Sequence, residues 1–274
     1  MLGVALAVVS SVCWGVGGVI FKLGLKNVNE YSGNLIRSIF ASLYLLPFVI
    51  YYGVEKLTLL LLLILFVSAF FSFFLGDLLY FNALKTSPVS YVLPLAATYP
   101  IFVAVMDNII YGAKITPNIA LASLATFLAI VVIPKGGGEF TLKSFTAVFA
   151  SLSWAVAIVT LDYLTRYLSP VNLAFLRLVM NSAMLFMVTR SISFERDTII
   201  YMGIIGGMLS VVGILSFITA VKIMGSHLVT PISATSPVTG AIIGKIFLRE
   251  KITLRHVIAM ILVFLSVLLV SNPG

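Results

Sequence analysis

Long apolar runs limit this chain to a membrane environment. The run LTLLLLLILFVSAFFSFFL (57–75) is typical, and it is too long and unbroken for a buried helix of a soluble domain. A helix needs about 20 predominantly apolar residues to cross roughly 30 Å of hydrocarbon. Since 61% of the residues are hydrophobic and only 9% are charged, the chain cannot build a water-soluble surface. The sequence predicts an all-α, multi-pass membrane protein.

Apolar windows of this length recur along the whole chain and predict ten transmembrane helices joined by short connections. The predicted spans cover 4–21, 32–53, 58–82, 89–111, 117–133, 145–165, 170–190, 198–221, 227–248 and 254–271. The first span has no basic segment before it, so we expect it to remain uncleaved in the cell membrane. The net charge of +8 is attributed to loops that orient the spans, and no nucleic-acid partner is expected.

An internal repeat links two proline-containing segments. Residues 91–116 read YVLPLAATYPIFVAVMDNIIYGAKIT, and residues 228–253 read LVTPISATSPVTGAIIGKIFLREKIT. Proline is disfavoured inside a helix because it lacks a backbone donor and clashes with the preceding turn. Apolar composition alone therefore does not produce matched prolines. The four matched residues are the predicted hinge or gate positions: Pro94, Pro100, Pro231 and Pro237.

The repeat predicts two five-helix units, over residues 1–134 and 141–274, joined by the glycine-rich PKGGGEFT (134–141). Because five is odd, the second unit must enter the membrane from the opposite side, which gives inverted repeats. In transporters built this way, the binding site lies at the repeat interface, and broken helices at matching positions line it. Nearby hydroxyl groups are expected to satisfy the carbonyls that the breaks free, among them those of Thr98 and Thr235.

Together these features resemble the drug/metabolite transporter superfamily, in its EamA-type ten-helix branch. The resemblance rests on the paired SxxW starts (Ser11–Trp14 and Ser151–Trp154), on an arginine early in the second span of each half, and on the segments LPLAATYP and TPISATSP. It implies a cavity enclosed by spans 1, 3, 4, 6, 8 and 9, with spans 5 and 10 outside. The first half departs from the pattern, because Ala113 stands where the second half has Glu250.

The resemblance implies a secondary transporter or facilitator that exports small metabolites, such as amino acids or amines, by alternating access. A proton-coupled or cation-selective transporter of quaternary amines or drugs is the alternative. A membrane-embedded enzyme or scaffold is disfavoured, since the acidic residues are scattered singly. No cofactor is expected, and His227 and His256 are too isolated for a metal site. The expected partners are a small solute, the bilayer and, in the coupled alternative, protons; the chain is expected to be a monomer or a homodimer.

Asp77 is the most informative single residue, because it lies within the third span in SFFLGDLLYFNAL. A charge inside the bilayer is costly and usually faces a cavity. Two functional roles are open: proton coupling, or a counter-charge for a cationic substrate. The structural alternative is an acid near the helix end that pairs with Lys85.

Aromatic residues on other predicted cavity helices complete the candidate site. Tyr80 lies one helical turn from Asp77 on the same face. Aromatic rings bind cationic groups through their faces, although each ring alone also fits packing or interface anchoring. The predicted substrate-binding residues are Trp14, Asp77, Tyr80, Tyr99 and Trp154.

Two arginines occupy matching positions in the second span of each half. For Arg37 and Arg177 the favoured interpretation is a scaffold role, either snorkelling to the interface or bonding the carbonyls of a neighbouring helix end. A gating ion pair is the alternative. Asp107 and Lys114 are predicted to form an interfacial pair. The orientation stays open, because the basic loops place both termini outside and the resemblance implies cytoplasmic termini.

Overall fold

The computed structural model describes residues 1–111, 117–132 and 142–271, and within these ranges the chain is almost entirely helical, with no strand. The α-helices are α1 (Leu2–Gly24), α2 (Glu30–Tyr52), α3 (Leu59–Ala69), α4 (Asp77–Thr86), α5 (Val89–Ala96), α6 (Tyr99–Tyr111), α7 (Pro117–Val132), α8 (Thr146–Leu164), α9 (Pro170–Val188), α10 (Arg196–Thr198), α11 (Gly206–Met224), α12 (Ser226–Ser233), α13 (Ser236–Phe247) and α14 (Leu254–Ser271). The other helical elements are the π-helical segments Phe70–Gly76 and Ile199–Ile205 and the 3₁₀ turn Leu142–Phe145.

Some consecutive helices join end to end. We call each resulting long helix, whether continuous or interrupted, a rod, and the rods follow the order of the predicted spans. The first π-helical segment joins α3 to α4 over Leu59–Thr86, and the second joins α10 to α11 over Arg196–Met224. In the part of the chain that the structure describes, seven rods are long and apolar enough to cross a membrane. The shorter or interrupted segments are α7, α12 with α13, and α14. The count of ten crossings remains a prediction.

Large apolar side chains cover the outer surface of the bundle. Ile50, Ile109 and Phe186 are 74%, 75% and 68% exposed. Contiguous apolar surface of this kind is rare on soluble monomers, and a bilayer covers it at no cost. The chain is therefore a multi-pass protein of the cell membrane.

Helices of each half pack mainly against helices of the other half. Helix α1 packs against α11 and α13, while α8 packs against the first π-helical segment and α6. The second rods of the halves, α2 and α9, pack on each other, and so do α7 and α14. Contacts of this kind, which occur in matching pairs, are expected for two related five-helix units. The division into units stays a prediction, since residues 134–141 lie outside the described residues.

Two rods are interrupted between their paired prolines. Helix α5 ends at Ala96 and α6 begins at Tyr99, while α12 ends at Ser233 and α13 begins at Ser236. The matched prolines predict breaks at the prolines themselves, but each break falls on the intervening Ala-Thr pair. The first proline of each pair lies inside a helix, and the second lies in the first turn of the next, where a missing N–H group costs little.

The hydroxyl groups of Thr98 and Thr235 bond backbone carbonyls beside the two breaks, as predicted, and the Ile232 carbonyl at the second break also accepts the N–H group of Thr235 at 3.2 Å. Each hydroxyl donates to the carbonyl three residues earlier, at 2.8 and 2.7 Å respectively. Each hydroxyl also bonds a serine of the opposite half, since Thr98 pairs with Ser151 at 2.8 Å and Thr235 with Ser11 at 2.9 Å. The serines of the two SxxW segments therefore hold the broken rod of the other half.

Candidate functional site

A cavity of about 120 Å³ lies at the centre of the bundle. All the predicted substrate-binding residues line it: Trp14, Asp77, Tyr80, Tyr99 and Trp154. Among the described residues, α7 and α14 contribute nothing to its wall, which agrees with the positions that the resemblance implied for spans 5 and 10. Arg37 and Arg177 also line the cavity. The second rod of each half, α2 and α9, therefore contributes to the cavity wall, although the resemblance did not place it there.

The π-helical segment Phe70–Gly76 positions Asp77, which follows it directly. A π-helix shifts the backbone hydrogen bonds from the i→i−4 pattern and often occurs at functional sites. Successive carbonyls of this segment accept hydrogen bonds from side chains of other rods: Ser153 donates to Phe71 at 2.6 Å, Trp154 to Ser72 at 3.2 Å and Asn34 to Phe73 at 2.7 Å. These side chains hold the segment in its widened form.

Both carboxylate oxygens of Asp77 have donors. Oδ2 forms an ion pair with Nη2 of Arg37, and Oδ1 accepts a hydrogen bond from Nε1 of Trp154 at 3.1 Å. The proposed structural alternative, a pair with Lys85, is wrong, because the Lys85 ammonium lies 3.4 Å from Glu30. Asp77 is a buried, ion-paired residue of the cavity wall.

Arg37 lies in the interior with only 4% of its surface exposed. Besides its ion pair with Asp77, it donates to Oδ1 of Asn34 at 2.8 Å and to Oγ of Ser210 at 3.1 Å. The prediction that it snorkels to the interface is wrong, since its guanidinium group finds its partners inside the bundle. An ion pair, which the less favoured alternative requires, is found for Arg37, and its role in gating stays a prediction.

Arg177 is equally buried, with 4% exposure. Its Nη2 donates to the carbonyl of Ser68 at 3.4 Å, and its guanidinium group lies 4.7 Å from the ring centroid of Phe73. Ser68 lies inside the continuous rod Leu59–Thr86, just before its π-helical segment, so Arg177 bonds a carbonyl of a neighbouring helix but not one at a helix end. Snorkelling is wrong for this arginine also.

The predicted aromatic residues divide into a cluster and a separate ring. The ring of Trp154 lies 5.3 Å from that of Tyr80 and 6.5 Å from that of Tyr99, measured between centroids. Trp14 instead packs 5.0 Å from Phe217. The cluster therefore surrounds Asp77, whereas Trp14 forms another part of the wall.

The predicted hinge prolines lie behind the wall. All of them are buried, but among the described residues the cavity is lined by their neighbours Leu93, Ala96, Ala97 and Ser236. Sequence reasoning missed Asn34, Ser153 and Ser210, because polar residues of these types are common in membrane helices. The one available signal was the i,i+3 spacing of Asn34 and Arg37, which places both side chains on one helical face.

Carboxylates meet the N-termini of both broken rods. Glu250 accepts hydrogen bonds from the backbone N–H groups of Val89 and Ser90, at 2.7 and 2.9 Å, where α5 begins. Asp162 accepts from the N–H and hydroxyl groups of Ser226, at 3.0 and 2.7 Å, where α12 begins. Each carboxylate satisfies orphan donors at a helix end. The predicted pair of Asp107 and Lys114 is untested, because Lys114 lies outside the described residues.

Comparison with known proteins identifies relatives along the whole chain. The model of the EamA-like transporter family matches residues 1–134 and 141–272. An uncharacterized transporter of Archaeoglobus fulgidus is 36% identical over 277 residues, which cover 100% of this chain and 99% of the relative. A riboflavin transporter of Brucella anthropi is 28% identical over 106 residues, or 38% of this chain and 37% of the relative. A solved crystal structure, 14% identical, has a TM-score of 0.72 over 99% of each chain, which shows the same fold.

Proposed function

The chain belongs to the EamA-like transporter family, and we propose from this that it carries a small organic solute across the cell membrane as a secondary transporter or facilitator. The observation that carries the proposal is the central cavity, whose wall combines residues from both halves and from both broken rods. In this mechanism the two units rock around a bound solute, so that the cavity opens to each side in turn. The paired prolines act as hinges beside the breaks.

The cavity volume favours a small cargo. An apolar protein cavity of about 150 Å³ holds a benzene molecule, so the cavity of about 120 Å³ suits a solute of similar size. Riboflavin, which the Brucella anthropi relative is named for, has a fused ring system and a sugar-alcohol chain that need more room. We propose that small metabolites, with amino acids among the candidates, are the cargo and that export is the direction.

The surroundings of Asp77 favour the role of a counter-ion. Arg37 and Trp154 already bond the two carboxylate oxygens of Asp77. A cationic solute or a proton could bind this carboxylate only if one of these partners left. We propose that Asp77 balances Arg37 and orients Trp154 in the wall. Cation-selective and proton-coupled transport gain no support from this geometry.

A flux assay in proteoliposomes tests the proposal. The purified protein is expected to give saturable flux of at least one solute from a panel of amino acids, amines and small acids. Flux of that solute is expected to fall roughly tenfold in Trp154→Phe, because the variant loses the hydrogen bond to the Asp77 carboxylate. Tyr167→Phe is the matched control, since Tyr167 is 52% exposed on the outer surface. Flux no faster than in protein-free liposomes for every solute would contradict the proposal.

A further inference from the structure

The charged side chains that line the cavity do not balance. Arg37 and Arg177 supply two positive charges and Asp77 supplies one negative charge, which leaves one net positive charge among the described lining residues. All of them are buried, at 4%, 4% and 8% exposure. An uncompensated charge within a bilayer is costly and marks a functional site.

The unbalanced charge belongs to Arg177. Asp77 forms its ion pair with Arg37 and attracts Arg177 only through space, so the direct contacts of Arg177 among the described residues are the carbonyl of Ser68 and the ring of Phe73. Both of these partners are uncharged. Arg177 is therefore a buried cation whose counter-charge the surrounding wall does not supply.

Unused hydrogen-bond donors lie in the same wall. The Nε–H groups of Arg37 and Arg177 and the hydroxyl group of Tyr99 are buried, and none has a partner among the described residues. Buried polar groups in proteins are nearly always hydrogen-bonded. Several unfilled donors around one cavity therefore point to an acceptor that the solute brings with it.

We infer that the solute carries a single negative charge, and that Arg177 binds its carboxylate. Guanidinium groups hold carboxylates through paired, charge-assisted hydrogen bonds. The body of the solute is apolar or aromatic, because Trp14, Phe81, Ile214 and Phe217 form much of the remaining wall. This inference rests on the proposed function, since it narrows the cargo of the same cavity from small metabolites in general to monocarboxylates.

The charge class is tested by direct binding to the purified full-length protein in nanodiscs, near neutral pH. The probes are phenylacetate with its neutral isostere phenylacetamide, isovalerate with isovaleramide, and the cation 2-phenylethylamine. Tryptophan fluorescence reports binding, because the only tryptophans, Trp14 and Trp154, both line the cavity. At least one carboxylate is expected to bind roughly tenfold or more tightly than its amide. A wild-type protein that binds the amides or the amine as tightly as the carboxylates would overturn the inference, as would one that binds no carboxylate.

Variants of Arg177 test its assignment. Arg177→Gln is expected to bring the ratio of carboxylate to amide affinity close to one, while Arg177→Lys keeps part of the preference because it keeps the charge. Arg166→Gln is the matched control, since Arg166 is exposed outside the cavity. A carboxylate preference that survives unchanged in Arg177→Gln would overturn the role of Arg177. The wild-type comparison stays decisive if the glutamine variant fails to fold.

Flux separates this inference from the proposed function. Saturable transport of a neutral or cationic solute, with no preference for carboxylates, would overturn the anion class and leave a transporter. Carboxylate-selective binding without flux of any solute would support the anion site and contradict transport.

Discussion

Gly76 leaves the space in which the indole of Trp154 reaches Asp77. A Cβ atom added at this glycine would lie 2.4 Å from Cδ1 and 2.5 Å from Nε1 of Trp154. These distances are well below van der Waals contact, so any larger residue must displace the ring. The last residue of the π-helical segment is therefore a determinant of the cavity wall.

Gly76→Ala is expected to separate Trp154 from Asp77. In a Trp14→Phe background Trp154 is the single tryptophan, so its emission spectrum is expected to shift, and the affinity for a transported solute to fall roughly tenfold as a hydrogen bond to a charged group is lost. Gly244→Ala is the control, because the nearest atom to its added Cβ lies 3.5 Å away. An unchanged spectrum together with unchanged affinity would show that the ring does not depend on this space.

The ion pair of Arg37 and Asp77 makes a prediction about stability. Asp77→Asn leaves a buried guanidinium group without its counter-ion, and breaking a buried pair in this way costs about 3 kcal/mol or more. The double variant Arg37→Gln with Asp77→Asn is expected to recover much of that loss, since neither charge then remains alone. Denaturant unfolding in detergent measures both free energies. A double variant no more stable than Asp77→Asn alone would indicate that the two residues act independently.

At the scale of elements, the N-termini of the two broken rods are capped by carboxylates that lie far from them in the sequence. The backbone at Arg249 adopts the left-handed conformation, with a φ of 54°, and the N–H group of Glu250 bonds the carbonyl of Gly244 at 3.4 Å. This turn after α13 brings the Glu250 carboxylate to the start of α5. The matching position of the first half is Ala113, so the sequence predicts that the first half does not need an equivalent of Glu250. The structure instead supplies α12 with a carboxylate from α8, that of Asp162.

Removing either carboxylate charge is expected to loosen only the helix end that it caps. Glu250→Gln should raise the hydrogen-exchange rate of the Val89 and Ser90 amides several-fold, and Asp162→Asn should do the same at Ser226, because a lost cap costs about 1 kcal/mol. Each variant is the control for the other. Faster exchange at both ends in both variants would indicate general destabilisation of the bundle.

The sequence predicts the elements of this fold better than the contacts that assemble its site. Apolar periodicity gives the helices, and the matched prolines give the two interrupted rods to within a few residues. The five predicted binding residues reach one cavity because each lies on a helix that the family resemblance places around it. The π-helical segment has no local signal, since side chains from α2 and α8 stabilise it. The pair of Arg37 and Asp77 joins different rods, so helical spacing alone could not find it.

At the scale of the whole molecule, the hydroxyl contacts across the halves come in a matched pair. If the two units are equivalent, Thr98→Val and Thr235→Val are expected to lower the free energy of unfolding by similar amounts, about 1 kcal/mol or more each, because each variant loses the hydrogen bond to the serine of the other half as well as the bond to its own carbonyl. Thr160→Val is the control, because the Thr160 hydroxyl bonds only carbonyls of its own helix. Thermal unfolding in detergent gives the comparison. A large loss in one variant and none in the other would contradict equivalence.

The two carboxylate caps differ in one respect: one joins the two halves, and the other lies within the second half. Glu250 belongs to the second half and holds α5 of the first, so opening that end must separate the halves. Asp162 and Ser226 both belong to the second half, and their contact can persist while the halves part. If the chain works by the proposed alternating access, its inward-facing and outward-facing conformations are expected to differ in energy. We expect a resting population that favours the conformation with the Glu250 contact intact, and a bias of this kind sets which side of the membrane the empty carrier faces.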